Sequence, residues 1–130
     1  MKYLSTRGGE AVAAAQAIVQ GICSSGGLYV PASFPQLDVE SLSADYRETA
    51  FAVMSRYLTE TGPERLRSMI ASAYRSFDDE RVTPVHALTD RESVLELWHG
   101  PTMAFKDVAL QMLPYLMRDS LLLTGEDRQV

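Results

Sequence analysis

Residues that bind metals or form disulfides are scarce in this chain, which contains one cysteine, Cys23, and two histidines, His86 and His99. A single cysteine cannot build a disulfide framework, and this set is too small for a typical zinc site. Long apolar runs are also missing, since no segment approaches the roughly 18 apolar residues that indicate a membrane span. Metal centres, disulfide scaffolds and membrane proteins are therefore not expected.

Positive charge is limited as well. The 130 residues have a formal net charge of −5 and a pI near 4.9, and lysine and arginine form no cluster. Because nucleic-acid binding needs a basic stripe, no such partner is expected. The 46% hydrophobic and 22% charged residues are typical of one small globular domain, which could bury roughly two-thirds of its unfolded surface. With no apolar leader segment, we expect a soluble, cytoplasmic protein.

The first elements are predicted from alanine and glycine. A short strand is expected at the start, and residues 10–20 are rich in alanine, which has the highest helix propensity. Gly21 is a typical helix stop. Gly26 and Gly27 predict a turn into a strand at residues 28–30, closed by the following proline.

Two amphipathic helices are predicted in the middle of the chain. Apolar residues recur at helical spacing over residues 43–58, and a second stripe follows. The second stripe consists of Leu66, Met69, Ile70, Ala73, Tyr74 and Phe77. Thr61 and Glu64 have the spacing of a capping box at its start. We expect the two helices to pair in antiparallel fashion and these residues to form a core.

Two short strands are predicted after the main charge run. That run, residues 78–81 (DDER), is interpreted as a solvated connection without chemistry. Residues 82–88 and 93–98 predict neighbouring antiparallel strands, and Pro84 indicates that the first is an edge strand or only partly used. The predicted fold is α/β, or α+β for this part of a protein: helix-rich at first, then a small sheet leading into a last helix.

The last helix is predicted from about Ala104, and the residues that follow Lys106 at successive helical spacings of three and four positions are apolar. They are Ala109, Leu110, Leu113 and Met117. This spacing places Lys106 at the head of a buried face and Asp107 on the opposite face, near the helix N-terminus. A partly desolvated lysine has a lowered pKa and is a nucleophile for carbonyls. The alternative is a structural lysine whose stem follows the stripe while its ammonium reaches water.

Three neighbours of Lys106 have structural interpretations. His99 is expected to be a structural histidine bonded to backbone. Thr102 is expected to cap the helix by accepting a backbone hydrogen bond. Phe105 is expected to pack on an apolar stripe that includes Met112.

Three segments of the chain resemble the threonine synthase family. Residues 99–107 (HGPTMAFKD) resemble the segment that bears the family's pyridoxal phosphate lysine, and Lys106 falls on that lysine. Residues 3–8 (YLSTRG) resemble the family's opening motif, and residues 26–31 (GGLYVP) resemble its next landmark. Together they cover essentially the whole chain in the family's order, which is far more specific than a lysine motif alone.

The resemblance implies a pyridoxal phosphate-dependent lyase of the tryptophan-synthase-β fold type. The parent enzyme would convert O-phospho-L-homoserine and water to L-threonine and phosphate, in threonine and hence amino-acid biosynthesis. Lys106 would hold the cofactor covalently and then act as acid and base. Thr102 would position the cofactor, and Phe105 would contact its ring.

A phosphate-binding role is implied for the opening motif. Arg7 is the main candidate, with Ser5 and Thr6 beside it, because a guanidinium is a strong donor to phosphate oxygens. The alternative for Arg7 is a structural ion pair.

The resemblance also implies a division of the chain. Residues 1–80 correspond to the family's N-terminal helical domain, and residues 81–130 to the start of its catalytic domain. Since the family continues into a Ser-Gly-Asp-Thr-Gly loop that this sequence lacks, we expect a truncated piece with little or no activity of its own. An apolar surface around its last helix would favour self-association. Two rival hypotheses are a related pyridoxal phosphate lyase or dehydratase, and a noncatalytic helical interaction module.

Overall fold

The computed structural model describes residues 1–127, in which short strands and helices alternate. The strands are β1 (Lys2–Ser5), β2 (Val12–Ala13), β3 (Tyr29–Pro31), β4 (Val85–Ala87) and β5 (Ser93–Leu95). The α-helices are α1 (Ala14–Gln20), α2 (Tyr46–Tyr57), α3 (Pro63–Ala73), α4 (Asp107–Leu110) and α5 (Leu113–Thr124), with a 3-10 helix at Val39–Ser41. This mixture of helices and small antiparallel sheets confirms the predicted fold class. None of the helices in the described range has the length and apolarity to cross a membrane.

The first sheet is antiparallel and has β1 as its central strand, in the order β2–β1–β3. Leu4 of β1 is paired with Val30 of β3. The Tyr3 hydroxyl donates to the Tyr57 carbonyl oxygen at 3.2 Å, which attaches the sheet to α2. The strand predicted at residues 28–30 is therefore confirmed, with its bounds shifted by one residue.

Helix α1 starts at Ala14, four residues later than predicted. Residues 12–13 pair with β1 instead. The carboxylate of Glu60 accepts hydrogen bonds from the backbone N–H groups of Ala14 and Ala15, at 3.3 and 3.1 Å. Helix propensity could not indicate this start, because the capping carboxylate lies 46 residues away in the chain. Gly21 ends the helix as predicted.

The hydrophobic core is built on α3. All six residues of its predicted apolar stripe are buried, which confirms that prediction. The ring of Tyr74 makes edge contacts with those of Tyr46 and Phe77, at centroid distances of 5.0 and 5.4 Å. Burial raises the pKa of Tyr74, whose hydroxyl donates to the Val108 carbonyl oxygen at 2.9 Å. The core thus contacts α4, the helix that follows Lys106.

Thr61 does not cap α3, so the predicted capping box is wrong. Gly62 occupies the N-cap position, and no side chain caps this helix. The Thr61 hydroxyl instead donates to Oδ2 of Asp119 on α5, at 2.7 Å. Arg65 forms an ion pair with the same carboxylate at 2.9 Å. The buried Asp119 side chain therefore links α5 to the start of α3, a partnership that local spacing could not predict.

The two predicted strands at residues 82–88 and 93–98 form an antiparallel hairpin, but they are shorter than expected. His86 of β4 is paired with Val94 of β5. Val82 lies outside the hairpin because its φ of 64° is left-handed and its side chain is fully buried in the core. A valine rarely adopts this conformation, so burial of the side chain must offset backbone strain. The chain becomes extended only after Pro84, as the proline indicated.

Replacement of Leu66 tests the position of the core. Leu66→Ala should lower the free energy of unfolding by about 2–5 kcal/mol, because it leaves a cavity around a fully buried side chain. Leu122→Ala is the matched control, since Leu122 is 62% exposed, and it should change stability by less than about 0.5 kcal/mol. Urea unfolding followed by circular dichroism measures both, and equal effects would contradict this description of the core.

Candidate functional site

The predicted lysine lies in a segment of tight turns, residues 100–107, called the lysine loop below. The backbone N–H of Met103 donates to the Gly100 carbonyl oxygen at 3.0 Å, and that of Asp107 donates to the Ala104 carbonyl oxygen at 2.9 Å. Met103 has a φ of 56°, a left-handed conformation that is uncommon for residues other than glycine. The chain therefore folds back on itself immediately before α4.

Asp107 closes the lysine loop through its side chain, which is only 1% exposed. Its Oδ2 accepts hydrogen bonds from the backbone N–H and the hydroxyl of Thr102, at 2.7 and 2.8 Å, and its Oδ1 accepts one from the Gln111 amide at 3.3 Å. Burial raises the pKa of Asp107, but the bonds from Thr102 and Gln111 outweigh burial and leave it below its ordinary value. Asp107 is therefore a buried carboxylate, held ionised by its own loop.

Gly100 provides the space for this carboxylate. A Cβ atom at position 100 would overlap the Asp107 Cβ and would lie 2.6 Å from Oδ2. No ordinary contact is that short, so any other residue would displace the carboxylate from Thr102. Gly100, Thr102 and Asp107 therefore act together to form one closed loop.

Lys106 is exposed, so the prediction that it heads a buried face is wrong. Asp107, predicted on the opposite face, occupies the buried position instead. Two members of the predicted stripe, Leu110 and Leu113, are 50% and 46% exposed. The exposure of Lys106 agrees with the structural alternative, in which its ammonium reaches water.

The predicted helix is in fact two helices. Pro114 lacks a backbone N–H, and in a continuous helix its ring would clash with the Leu110 carbonyl group. Helix α4 accordingly ends at Leu110, and α5 begins at Leu113 with Pro114 in its first turn. Gln111 and Met112, which lie between the two helices, keep right-handed helical backbone angles. Lys106 and the stripe residues Ala109, Leu110 and Leu113 are all exposed, so the spacing grouped them correctly but could not show which face is buried.

Two neighbours of Lys106 also differ from their predicted structural roles. Phe105 is 66% exposed and does not pack on the stripe that contains the buried Met112. Thr102 does not accept a helix-capping bond; its N–H and hydroxyl both donate to Asp107. The exposed side chains of this loop are therefore Met103, Phe105 and Lys106, along with Thr102 and the proline at position 101.

His99, at the entry to the lysine loop, binds two carboxylates rather than backbone groups. Its Nδ1 lies 2.6 Å from Oδ1 of Asp78, and its Nε2 lies 2.7 Å from Oε2 of Glu96. The hydrogen bonds with Glu96 and then Asp78 raise the pKa of His99. Asp78 belongs to the charge run that was predicted to be a solvated connection, and its side chain is 75% exposed while also bonding this histidine.

The opening motif forms a second loop, closed by Gly27. The Arg7 backbone N–H donates to the Ser5 hydroxyl at 3.2 Å, and the Leu28 backbone N–H donates to the Thr6 hydroxyl at 3.1 Å. A Cβ atom on Gly27 would overlap the Ser5 hydroxyl and lie 2.8 Å from the Arg7 nitrogen. Both hydroxyls thus shape the loop, whereas the Arg7 guanidinium is exposed and forms no ion pair with residues 1–127.

Cys23 lies near the opening motif and was not predicted to belong to a functional site. The Ser25 hydroxyl donates to its sulfur at 3.3 Å. Hydrogen bonds from Ser25, and then from Tyr29, lower the pKa of Cys23 to about 6. No motif indicates this environment, because its hydroxyl groups come from the turn and from β3.

The two loops are not bonded to each other in residues 1–127. No hydrogen bond or ion pair in this range joins residues 5–7 to the lysine loop. Nor does the described part of the chain contain a group of three histidine, cysteine, aspartate or glutamate side chains that could hold a metal ion. The chemistry that this arrangement offers is an exposed amine on a rigid loop.

Comparison with known proteins identifies relatives over the whole chain. The family model described as "Threonine synthase N terminus" matches residues 2–74. A threonine synthase from Methylobacillus glycogenes is 35% identical over 144 residues, which cover 100% of this chain and 30% of that protein. The lysine loop therefore lies within the region of similarity.

Solved structures give the same result. The X-ray structure of PLP-bound threonine synthase from Brucella melitensis has a TM-score of 0.89 and 38% identity, and the match covers 96% of this chain and 28% of that one. Yeast threonine synthase has a TM-score of 0.84 and 35% identity, over 98% of this chain and 28% of that one. This chain spans between 23% and 30% of the length of three curated relatives that it matches.

Acid should destabilise the protein in part through Asp107. Because its folded-state pKa is below the unfolded value of about 3.9, its contribution to stability is complete above that value and is lost as pH falls through the folded pKa. Asp107→Asn should lower the urea midpoint at pH 7 and remove this part of the acid dependence. Asp90→Asn is the control, since Asp90 lies in the exposed β4–β5 turn. An unchanged acid dependence in Asp107→Asn would contradict the assignment.

A methyl group at position 100 should have a similar effect. Gly100→Ala should lower the urea midpoint and shift the NMR signal of the Thr102 amide, because the new Cβ displaces the Asp107 carboxylate. Gly62→Ala is the matched control, since a Cβ there meets no atom within 4 Å. If both variants are as stable as the parent, the Asp107 side chain does not occupy this position.

Proposed function

The chain belongs to the threonine synthase family, and on this basis we propose that it forms the part of a threonine synthase that carries the cofactor lysine. The proposed reaction converts O-phospho-L-homoserine and water to L-threonine and phosphate, in the cytoplasm. Residues 1–80 are proposed as the N-terminal helical domain and residues 81–130 as the start of the catalytic domain. The family match to residues 2–74 supports the first of these.

The observation that carries the proposal is the state of Lys106. Its side chain is exposed and makes no hydrogen bond or ion pair with residues 1–127. The loop before it is closed by Asp107, and α4 after it is fixed by the bond between Tyr74 and Val108. A free amine on an immobilised backbone is what covalent attachment of a carbonyl compound requires.

These residues fit pyridoxal phosphate. When bound, this cofactor supplies an electron sink for the substrate's α carbon. Lys106 is proposed to bind it covalently and afterwards to move protons at the α and β carbons, while phosphate leaves the γ carbon and water adds at the β carbon. Phe105 is proposed to contact the cofactor ring, which its exposure permits. Thr102 is proposed to position the cofactor through the loop geometry that it helps to fix.

Phosphate recognition is proposed for the second loop. The guanidinium of Arg7 has no acidic partner among the described residues, which supports a role in binding an external anion. Ser5 and Thr6 are proposed to contribute by holding the backbone at Arg7 in place, since their hydroxyls accept hydrogen bonds from within the loop.

The scarcity of lysine allows a direct test of Lys106, because Lys2 is the other lysine in the sequence. Substoichiometric pyridoxal phosphate, fixed by borohydride, should label Lys106 in preference to Lys2, since the exposed Phe105 ring offers a contact surface for the cofactor ring. Peptide mass spectrometry measures the ratio of the two labelled peptides. Equal labelling of Lys2 and Lys106 would contradict the proposal.

A pair of phenylalanine variants separates recognition from exposure. Phe105→Ala should lower the labelling ratio, whereas Phe34→Ala should leave it unchanged. Phe34 is the matched control because it is also highly exposed, at 76% against 66% for Phe105, but lies in another loop. A ratio that falls equally in both variants would show that Phe105 has no specific contact with the cofactor.

A further inference from the structure

The side chain of His99 lies between two carboxylates from different parts of the chain. Asp78 belongs to the connection between α3 and β4, and Glu96 directly follows β5. Each carboxylate has an oxygen within 2.7 Å of a ring nitrogen, and 15% of the histidine side chain is exposed. The backbone is also joined here, because the Asp78 N–H donates to the His99 carbonyl oxygen at 3.0 Å.

This geometry requires both ring nitrogens to donate. A neutral imidazole has one N–H and one lone pair, so one carboxylate would face a lone pair at hydrogen-bond distance. An imidazolium donates from both nitrogens, and the two short distances are typical of charge-assisted bonds. Two further charged groups act on this site. Asp79 interacts electrostatically with His99. The guanidinium of Arg81 donates two hydrogen bonds to Asp79 and also interacts electrostatically with Glu96.

The histidine is directly connected to the lysine loop. His99 precedes Gly100, and Gly100 packs against the Asp107 carboxylate, which is adjacent in sequence to Lys106. Fixing the His99 backbone and ring therefore fixes the point where the loop begins. The other attachment of this region, between Tyr74 and Val108, lies beyond the lysine.

We propose that His99 is a positioning residue: as an imidazolium bound by Asp78 and Glu96, it holds the entry of the lysine loop and so positions Lys106. The positioning of Lys106 for chemistry rests on the proposed function, whereas the charge state of His99 and its hold on the loop do not. With this role for His99, the attachment of the lysine loop depends on pH. Below the ordinary pKa of histidine both bonds are present, and one is lost as pH rises through the elevated pKa of His99.

Proton NMR titration tests the charge state. The sequence has two histidines, so His86→Gln assigns the remaining signal to His99. The midpoint of His99 should lie above the ordinary value of about 6.5. Asp78→Asn and Glu96→Gln should each shift it downwards, while Asp90→Asn should not. A midpoint at or below the ordinary value, or one that neither variant lowers, would overturn the proposal.

Hydrogen exchange tests the hold on the loop. In His99→Gln, the Thr102 amide, which is bonded to Asp107, should exchange severalfold faster than in the parent. The Tyr74 amide, directly after α3, should serve as an unaffected reference. In the parent, the Thr102 amide should lose protection relative to Tyr74 as pH rises through the His99 midpoint. If His99→Gln does not fold, Asp78→Asn replaces it, since the Asp78 side chain is 75% exposed.

Unchanged relative protection of Thr102, in the variant and across the His99 midpoint, would overturn the proposed hold on the loop. None of these measurements uses the cofactor. Failure of Lys106 to react with pyridoxal phosphate would therefore contradict the proposed function alone, and failure of the NMR measurements would contradict the role of His99 alone.

Discussion

A carboxylate that is removed from water has to be surrounded by hydrogen-bond donors, and the buried side chain of Asp107 sets this requirement for the region around Lys106. Thr102 meets it with two donors and Gln111 with a third. Thr102 can approach only because Gly100 has no Cβ. The bonds draw the chain into a closed loop, and Lys106 is left on the outside with its amine free.

The helical part of the chain determines where this loop lies. The segment that follows α3 contacts the loop region on both sides, through Tyr74 to Val108 and through Asp78 to His99. Residues 1–80 therefore position the loop that carries Lys106. Within the described range, none of them forms a hydrogen bond or ion pair with the Lys106 side chain. The loop therefore takes its position from α3 and from the connection that follows this helix.

Patterns within a single element were predicted well from the sequence. The stripe of α3 and the hairpin of β4 and β5 depend on local periodicity, and both are present. Errors occurred where a distant group decides the structure: Glu60 determines the start of α1, and Asp119 takes the hydroxyl of Thr61. In the site, Lys106 was located by resemblance, but its exposure was missed because periodicity groups residues on one face without showing whether that face is buried.

The central claim is that the bonds between Thr102 and Asp107 hold the loop that presents Lys106. A double-mutant cycle of Thr102→Val and Asp107→Asn, measured by urea unfolding at pH 7, tests it most directly. The two changes should be coupled, so that the double variant loses less stability than the sum of the losses in the two single variants. The difference should exceed about 0.5 kcal/mol, because the effects of independent sites add to within this amount. Additive losses would mean that the two side chains do not stabilise each other and that the loop is held in another way.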